Sequence, residues 1–115
     1  MLKIDKGWGN EVIWADTETY CGKFLNFHEG GTFSMHFHAK KDETWYVLRG
    51  KFKLKTIDTK YAEVSETELV QGDTWRNMPL QPHQLICIEQ GTIIEVSTKD
   101  DYEDNHRILP GDSQK

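Results

Sequence analysis

The hydrophobic positions of this chain fall in short β-branched and aromatic runs separated by Gly, Asp and Asn. Such runs are typical of β-strands, and no stretch repeats apolar residues at the spacing of a long amphipathic helix. The alternation is clearest after Gly50, where Phe52 and Leu54 face one way and the lysines between them face the other, as a strand with one wet face requires. We predict strands at residues 11–15, 23–28, 32–38, 44–48, 51–58, 66–70, 74–77, 83–89 and 92–98.

Glycines separate these predicted strands, and Gly50 is expected to form the tight turn of a hairpin. Their spacing suits antiparallel strands that close into a sandwich or barrel, so the predicted fold class is all-β. A chain of 115 residues has the usual size of one domain, and we expect a single domain over residues 1–115. Residues 99–115 form a polar tail, which is either a flexible end or an arm ordered against the barrel or a second subunit.

Composition excludes several classes of partner. The chain has 14 basic and 19 acidic side chains and a net charge of −5, which is the wrong sign for binding a phosphate backbone, so we expect no nucleic-acid partner. No apolar run approaches the roughly 18 residues of a membrane span. The first residues lack the apolar segment of a secretory leader, and we therefore expect a cytoplasmic protein. Cys21 and Cys87 form no CxxC pair and are expected to be reduced thiols.

The candidate chemistry lies between Gly30 and Gly50. On a strand, side chains two residues apart share a face, so His36 and His38 point together. Glu43 opens the next predicted strand, and a hairpin would return its carboxylate to the two histidines. His83, at the start of a distant apolar strand, is a fourth candidate. Imidazole and carboxylate ligands in one barrel suit one divalent transition metal per chain, and Zn, Mn, Fe, Ni and Co all remain open.

The residues around these ligands predict a pocket wall that is mostly apolar. Trp45 shares the face of Glu43, and Cys87 shares the inward face of His83. Candidate pocket residues are Lys41, Trp45, Cys87 and Arg107, and Glu95 is the candidate catalytic base.

A second apolar face is expected on the strand that bears the histidines. Phe33, Met35 and Phe37 alternate with the histidines and should face away from them. An apolar sheet face of this kind predicts a C2 homodimer.

The order Gly30, His36, His38, Glu43, Gly50 resembles the first motif of the cupin superfamily at every defining position. The second cupin motif is echoed by Gly72, Asp73 and His83, although Met78 and Leu80 stand where that motif has Pro and Gly. The resemblance covers about residues 8–98. It implies a single-domain cupin jelly-roll β-barrel in which His36, His38, Glu43 and His83 are the metal ligands.

A narrower resemblance extends over three segments: GWGNEVIWADTETYCGKFLNF, KKDETWYVL and GTIIEVST. They are similar to small cupins grouped with the type II phosphomannose isomerase domain. This likeness implies a sugar or sugar-phosphate ligand. Gln84 stands where a basic residue commonly follows the histidine of the second motif in that group.

Three functions are open at this point. The first is a metal-dependent sugar isomerase or epimerase, in which the metal acts as a Lewis acid and a base such as Glu95 moves the proton. The second is a metal-dependent dioxygenase or lyase, and dependence of turnover on oxygen would separate it from the first. The third is a non-catalytic module that binds a sugar-like small molecule.

Overall fold

The computed structural model describes residues 1–115 and shows an all-β jelly-roll barrel of nine antiparallel strands. The strands are β1 (Leu2–Lys6), β2 (Gly9–Asp16), β3 (Tyr20–Phe27), β4 (Met35–Phe37), β5 (Glu43–Ile57), β6 (Val64–Val70), β7 (Thr74–Asn77), β8 (His83–Thr98) and β9 (His106–Leu109). A short 3₁₀ turn, Asp112–Gln114, follows. The predicted fold class is confirmed. No helix in the structure is long and apolar enough to cross a membrane.

The long strands β5 and β8 form the central strand pair of the barrel. They pair from Glu43↔Ser97 at one end of a two-stranded ribbon to Thr56↔His83 at the other. The ribbon is bordered by β3 and β4 on the β8 side and by β6 and β7 on the β5 side. Because Glu43 and His83 start from opposite ends of the ribbon and still meet at their side chains, the ribbon curls back on itself around the core.

Glycines make this curl possible. The register of the ribbon shifts between Val47 and Phe52, which marks a β-bulge where strands bend. Gly50 has a φ of +92°, and a Cβ there would lie 2.6 Å from the Cα of Gly91. The predicted hairpin turn at Gly50 is therefore wrong, because β5 continues through this residue and the glycine allows two backbones to approach closely.

The core fills the inside of the curl with apolar side chains from both halves of the ribbon and from β3. It comprises Trp8, Leu25, Phe27, Phe33, Trp45, Val47, Phe52, Leu54, Leu69, Leu85, Cys87 and Ile93. Tyr46 and Leu48, between the inward residues of β5, are more than 40% exposed, so the alternation of this strand was predicted correctly.

Two sequence-based expectations about the histidine strand are wrong. Of residues 32–38 only Met35–Phe37 is a strand, and β4 pairs with β8 and β9 rather than with β5. Phe33 and Met35 are buried, with Phe33 in the core cluster, so they offer no external face to a second subunit. The irregular backbone before β4 turns Phe33 inward, where it contacts the His36 and His83 rings.

The tail is ordered against the barrel, as one of the two open alternatives proposed. Strand β9 pairs with β4. Across the end of the barrel the Asp112 N–H donates to the Thr32 carbonyl, and the Thr32 N–H donates to Asp112 Oδ2. The short strand β1, which pairs with β2, was likewise absent from the predicted strands.

Candidate metal centre

Three histidines converge inside one end of the barrel. His36 in β4 and His83 in β8 are paired in register on adjacent strands, and antiparallel partners present their side chains on the same face. His38 lies just after β4. One ring nitrogen from each of His36, His38 and His83 lies within 4.8 Å of the others. The pairing of β4 with β8, which sequence spacing alone did not indicate, is what joins the two halves of the ligand set.

Backbone carbonyls fix the orientation of all three rings. Nδ1 of His36 donates to the Ser34 carbonyl at 2.7 Å, and Nδ1 of His83 donates to the Gln81 carbonyl at 2.8 Å. Nδ1 of His38 donates to the carbonyl of Asp104. A carbonyl can only accept, so each Nδ1 bears a proton, and the Nε2 atom of each ring is left free to face the others. This arrangement is typical of metal-ligating histidines.

Glu43 lies beside the histidine cluster. Its Oε1 lies 3.0 Å from His83 Nε2 and 3.7 Å from His38 Nε2. His83 Nε2 is buried and makes no hydrogen bond. A buried ring nitrogen without a hydrogen bond, beside a buried carboxylate, is costly unless a cation lies between them. Three imidazoles and one carboxylate are ligands that divalent transition metals accept, and so these residues fit a divalent metal.

His36 and His38 are held in the neutral form that metal binding needs. Burial lowers the pKa of His36 well below its ordinary value, and the neighbouring rings of His83 and His38 add to the shift. Burial also lowers the pKa of His38, although Glu43 opposes the change. At neutral pH both lone pairs are therefore available without loss of a proton.

A buried network of charges lies next to the histidine cluster. Nζ of Lys41 lies 3.6 Å from Glu43 Oε2, 3.2 Å from Glu95 Oε2 and 3.1 Å from Asp100 Oδ1. Lys23 extends the network, with its Nζ 3.1 Å from Asp100 Oδ2. The three carboxylates outweigh the effect of burial and raise the pKa of Lys41, so the ammonium stays charged. Burial disfavours the Glu43 anion, but Glu95, His83 and the Lys41 ammonium together lower the pKa of Glu43 well below its ordinary value.

Glu95 occupies the wall of the site. Its Oε1 accepts a hydrogen bond from Trp45 Nε1 at 3.0 Å, and its Oε2 accepts one from Lys41 Nζ at 3.2 Å. Burial raises the pKa of Glu95, and the adjacent negative charge of Glu43 raises it further. A carboxyl group of this kind is a candidate for proton transfer at neutral pH.

These residues face a cavity of about 190 Å³ that is open to solvent. Of its 21 lining residues only 5 are hydrophobic, so the prediction of a mostly apolar wall is wrong. The predicted residues Lys41, Trp45, Glu95 and Arg107 line this cavity together with the three histidines and Glu43. Further polar side chains come from β1, β2, β3 and the tail, and of these the sequence had proposed only Arg107.

Cys87 does not line the cavity. It belongs to the core cluster, its Sγ lies 3.0 Å from the Glu89 carbonyl, and it pairs with Phe52 in the ribbon. Cys87 faces inward, as predicted. It lies four residues after His83 in β8, however, where packed side chains and not the cavity fill the barrel interior.

Sequence reasoning missed Lys6, Glu11, Lys23, Asp100 and Asp104. Lys23 could have been found, because Cys21, Lys23, Leu25 and Phe27 alternate with outward residues in β3 and a lysine in that series points inward. Lys6 ends β1, and Asp100 and Asp104 lie in the tail, where no periodicity reports orientation. Glu11 lies in β2, whose residues show no clear alternation of buried and exposed positions before Trp14.

Residues 23–97, more than half of the chain, match the cupin domain family. The chain belongs to the cupin family. The cupin fold with this histidine cluster places a divalent metal site at His36, His38 and His83. No curated protein matches the sequence.

Solved structures show the same fold. KdgF from Halomonas sp. gives a TM-score of 0.71 at 19% identity, over 82% of this cupin and 81% of that chain. A mutant of Bacillus subtilis oxalate decarboxylase gives a TM-score of 0.79 at 17% identity, over 93% of this cupin and 30% of that chain. The formate complex of Lactobacillus farciminis oxalate decarboxylase gives a TM-score of 0.79 at 16% identity, over 93% of this cupin and 33% of that chain. This cupin thus spans about a third of the length of the two oxalate decarboxylases.

Proposed function

We propose that this cupin is a metal-dependent enzyme that acts on a small, oxygen-rich and anionic metabolite, with a sugar or sugar-phosphate isomerase or epimerase as the favoured case. The observation that supports this proposal is the position of Glu95. It is a buried carboxyl group in the wall of the same cavity as the histidine cluster, and it is bound by Trp45 and Lys41. The resemblance to small cupins of the phosphomannose isomerase group is the reason for naming sugars.

A bound divalent metal would supply Lewis acidity to neighbouring hydroxyl and carbonyl oxygens of the substrate. His36, His38, His83 and Glu43 would hold it. Glu95 would accept the proton from one substrate carbon and return it to the next, which is the proton shift of an aldose–ketose exchange. Lys41 would keep Glu95 in place while the charge of Glu95 changes. Lys41 can do so because it also contacts Asp100 and Glu43 and is not held by Glu95 alone.

Two cations at the cavity favour an anionic substrate. Arg107 in β9 is paired with His36, so it stands beside a metal ligand on the adjacent strand. Arg107 and Lys6 both line the cavity, and neither forms a salt bridge within the chain. Lys41, in contrast, already contacts three carboxylates. The free guanidinium of Arg107 suits a phosphate or carboxylate group, which it can bind with two parallel hydrogen bonds.

The test is proton exchange catalysed by the metal-loaded protein. Phosphorylated and unphosphorylated aldoses are incubated in deuterated water and followed by NMR for deuterium at the carbon next to the carbonyl. We expect exchange with a phosphorylated or acidic sugar, loss of exchange in Glu95→Gln without loss of bound metal, and weaker substrate binding in Arg107→Ala. Exchange that persists unchanged in Glu95→Gln would contradict the assigned role.

A second function is favoured by one observation. Both oxygens of Glu95 are already engaged, by Trp45 and by Lys41, which suits a carboxylate that shapes a binding site as well as one that moves protons. A non-catalytic cupin would bind the anionic sugar without proton exchange or product. Turnover that requires oxygen would instead indicate the dioxygenase alternative, and oxygen-independent carbon–carbon or carbon–oxygen cleavage would indicate a lyase.

A further inference from the structure

Asp104 in the tail binds the turn that connects two metal ligands. It is only 6% exposed. Its Oδ1 accepts the N–H of Ala39 at 2.7 Å, and its Oδ2 accepts those of Lys40 at 2.9 Å and Lys41 at 3.1 Å. Burial disfavours the Asp104 anion, but the three N–H donors outweigh this effect and lower its pKa. One carboxylate therefore fixes three consecutive backbone groups between His38 and Glu43.

The same residue also orients a ligand directly. The backbone carbonyl of Asp104 accepts the Nδ1 proton of His38, which leaves His38 Nε2 directed toward His36 and His83. His36 and His83 receive this support from carbonyls two residues away in their own segments, Ser34 and Gln81. His38 is the one histidine of the three whose carbonyl partner comes from a distant part of the chain.

The tail does not depend on the Asp104 side chain for its attachment. Strand β9 pairs with β4 through Met35↔Leu109 and Phe37↔His106. Farther along, Asp112 Oδ2 accepts the N–H of Thr32 at 2.8 Å. A change at Asp104 should therefore release the turn at 39–41 while the tail stays on the barrel.

From these contacts we infer that Asp104 is a positioning residue for the metal centre and makes metal affinity depend on the C-terminal segment. Its carboxylate sets the turn that brings His38 and Glu43 to their places, and its carbonyl sets the His38 ring. Partners that orient metal ligands contribute to affinity although they do not touch the ion. This role of Asp104 concerns the metal centre itself and does not depend on which reaction is carried out there.

The test measures metal affinity in the full-length protein with Asp104→Ala, Asp104→Asn and the matched control Asp112→Ala. Asp112 is also a tail aspartate that caps a barrel N–H, but it binds Thr32 rather than the ligand turn. Affinity for Zn²⁺ is measured by competition with a chromophoric chelator, and the coordination geometry is read from the visible spectrum of Co²⁺-loaded protein. Circular dichroism checks that each variant is folded.

We expect Asp104→Ala to weaken Zn²⁺ binding by about 10- to 100-fold, the range for residues that orient ligands, and to change the Co²⁺ spectrum. Asp104→Asn keeps one oxygen acceptor, so it should fall between the wild type and Asp104→Ala, and it serves as the test variant if the alanine variant does not fold. Asp112→Ala should keep wild-type affinity and spectrum. Wild-type affinity in folded Asp104→Ala, or an equal loss in Asp112→Ala, would overturn the inference.

Discussion

Oε1 of Glu43 lies 3.0 Å from Nε2 of His83, although the two residues start from opposite ends of the β5–β8 ribbon. The curl at Gly50 and Gly91 brings these ends together, and no hydrogen bond joins the two atoms. The fold thus places a carboxylate oxygen and an imidazole nitrogen without a hydrogen bond side by side in a buried site. A divalent cation relieves this arrangement, which ties the shape of the barrel to its metal chemistry.

Replacing Lys41 by Met should destabilise the protein strongly. The substitution keeps the apolar stem but leaves Glu43, Glu95 and Asp100 without their shared cation. Loss of one partner from a buried ion pair costs about 3–5 kcal/mol of unfolding free energy. Chemical denaturation of metal-free protein measures the change. Lys40→Met is the matched control, because Lys40 is exposed and forms no salt bridge, and it should stay within about 0.5 kcal/mol of the wild type. Equal stabilities for the two variants would contradict the network.

Acid should destabilise the metal-free protein below the ordinary histidine pKa. The pKa of His36 is lowered in the folded chain, so as pH falls below about 6.5 the unfolded chain takes up a proton that the folded chain does not. The unfolding free energy must then decrease until the folded pKa is reached. Glu95, whose pKa is raised, acts in the opposite sense at lower pH. The contribution of His36 to the pH dependence of stability is therefore measured by comparing the wild type with a variant that lacks this histidine.

Urea unfolding of metal-free wild type and His36→Gln between about pH 7 and pH 5 provides that difference, and the variant should show the shallower decline. His28→Gln is the control. His28 is exposed, and hydrogen bonds to the carbonyls of Gly7 and Glu29 raise its pKa, so its removal should not flatten the decline. Parallel curves for wild type and His36→Gln would show that His36 is not buried in its neutral form.

Both cysteines should resist alkylation in the folded protein. Burial raises the pKa of Cys87 to about 11, and it also raises the pKa of Cys21. Thiols react as thiolates, so neither should react appreciably with iodoacetamide near pH 8 until the chain is unfolded. Mass spectrometry counts the labels. Rapid labelling of Cys87 in the folded protein would place it in the open cavity, as the sequence had suggested, and would contradict the packed core described above.

The homodimer expected from the sequence stays a prediction. Because Phe33 and Met35 are buried, its interface must use a surface other than the predicted face of the histidine strand. Exposed apolar side chains lie on three strands of the sheet: Trp14 in β2 at 42% exposure, Tyr46 in β5 at 43% and Val96 in β8 at 49%. Patches of this kind on soluble proteins often mark contacts between subunits. Light scattering should give twice the chain mass of 13.4 kDa, and Tyr46→Lys with Val96→Lys should restore the monomer. A wild-type monomer at all concentrations would contradict the prediction.

The sequence predicted the fold class, because alternation of apolar residues in strands such as β5 reports which side chains face inward. It also proposed the four residues that the barrel brings together, since their spacing resembles a cupin motif. It could not predict how they meet: a hairpin was expected, whereas the structure uses the curl of β5 and β8 and the pairing of His36 with His83. Asp104 was hidden in a polar tail, because a buried carboxylate that binds backbone N–H groups leaves no periodic pattern.

The most direct test of the metal centre is the metal content of the purified protein, measured by elemental mass spectrometry beside a His36→Ala/His38→Ala double variant. Three oriented imidazoles and Glu43 predict about one divalent transition-metal ion per folded chain, with the ion lost in the double variant. A folded wild-type protein that holds no metal after supplementation with Zn²⁺, Mn²⁺, Fe²⁺, Co²⁺ and Ni²⁺, or a double variant that keeps its metal, would contradict the account.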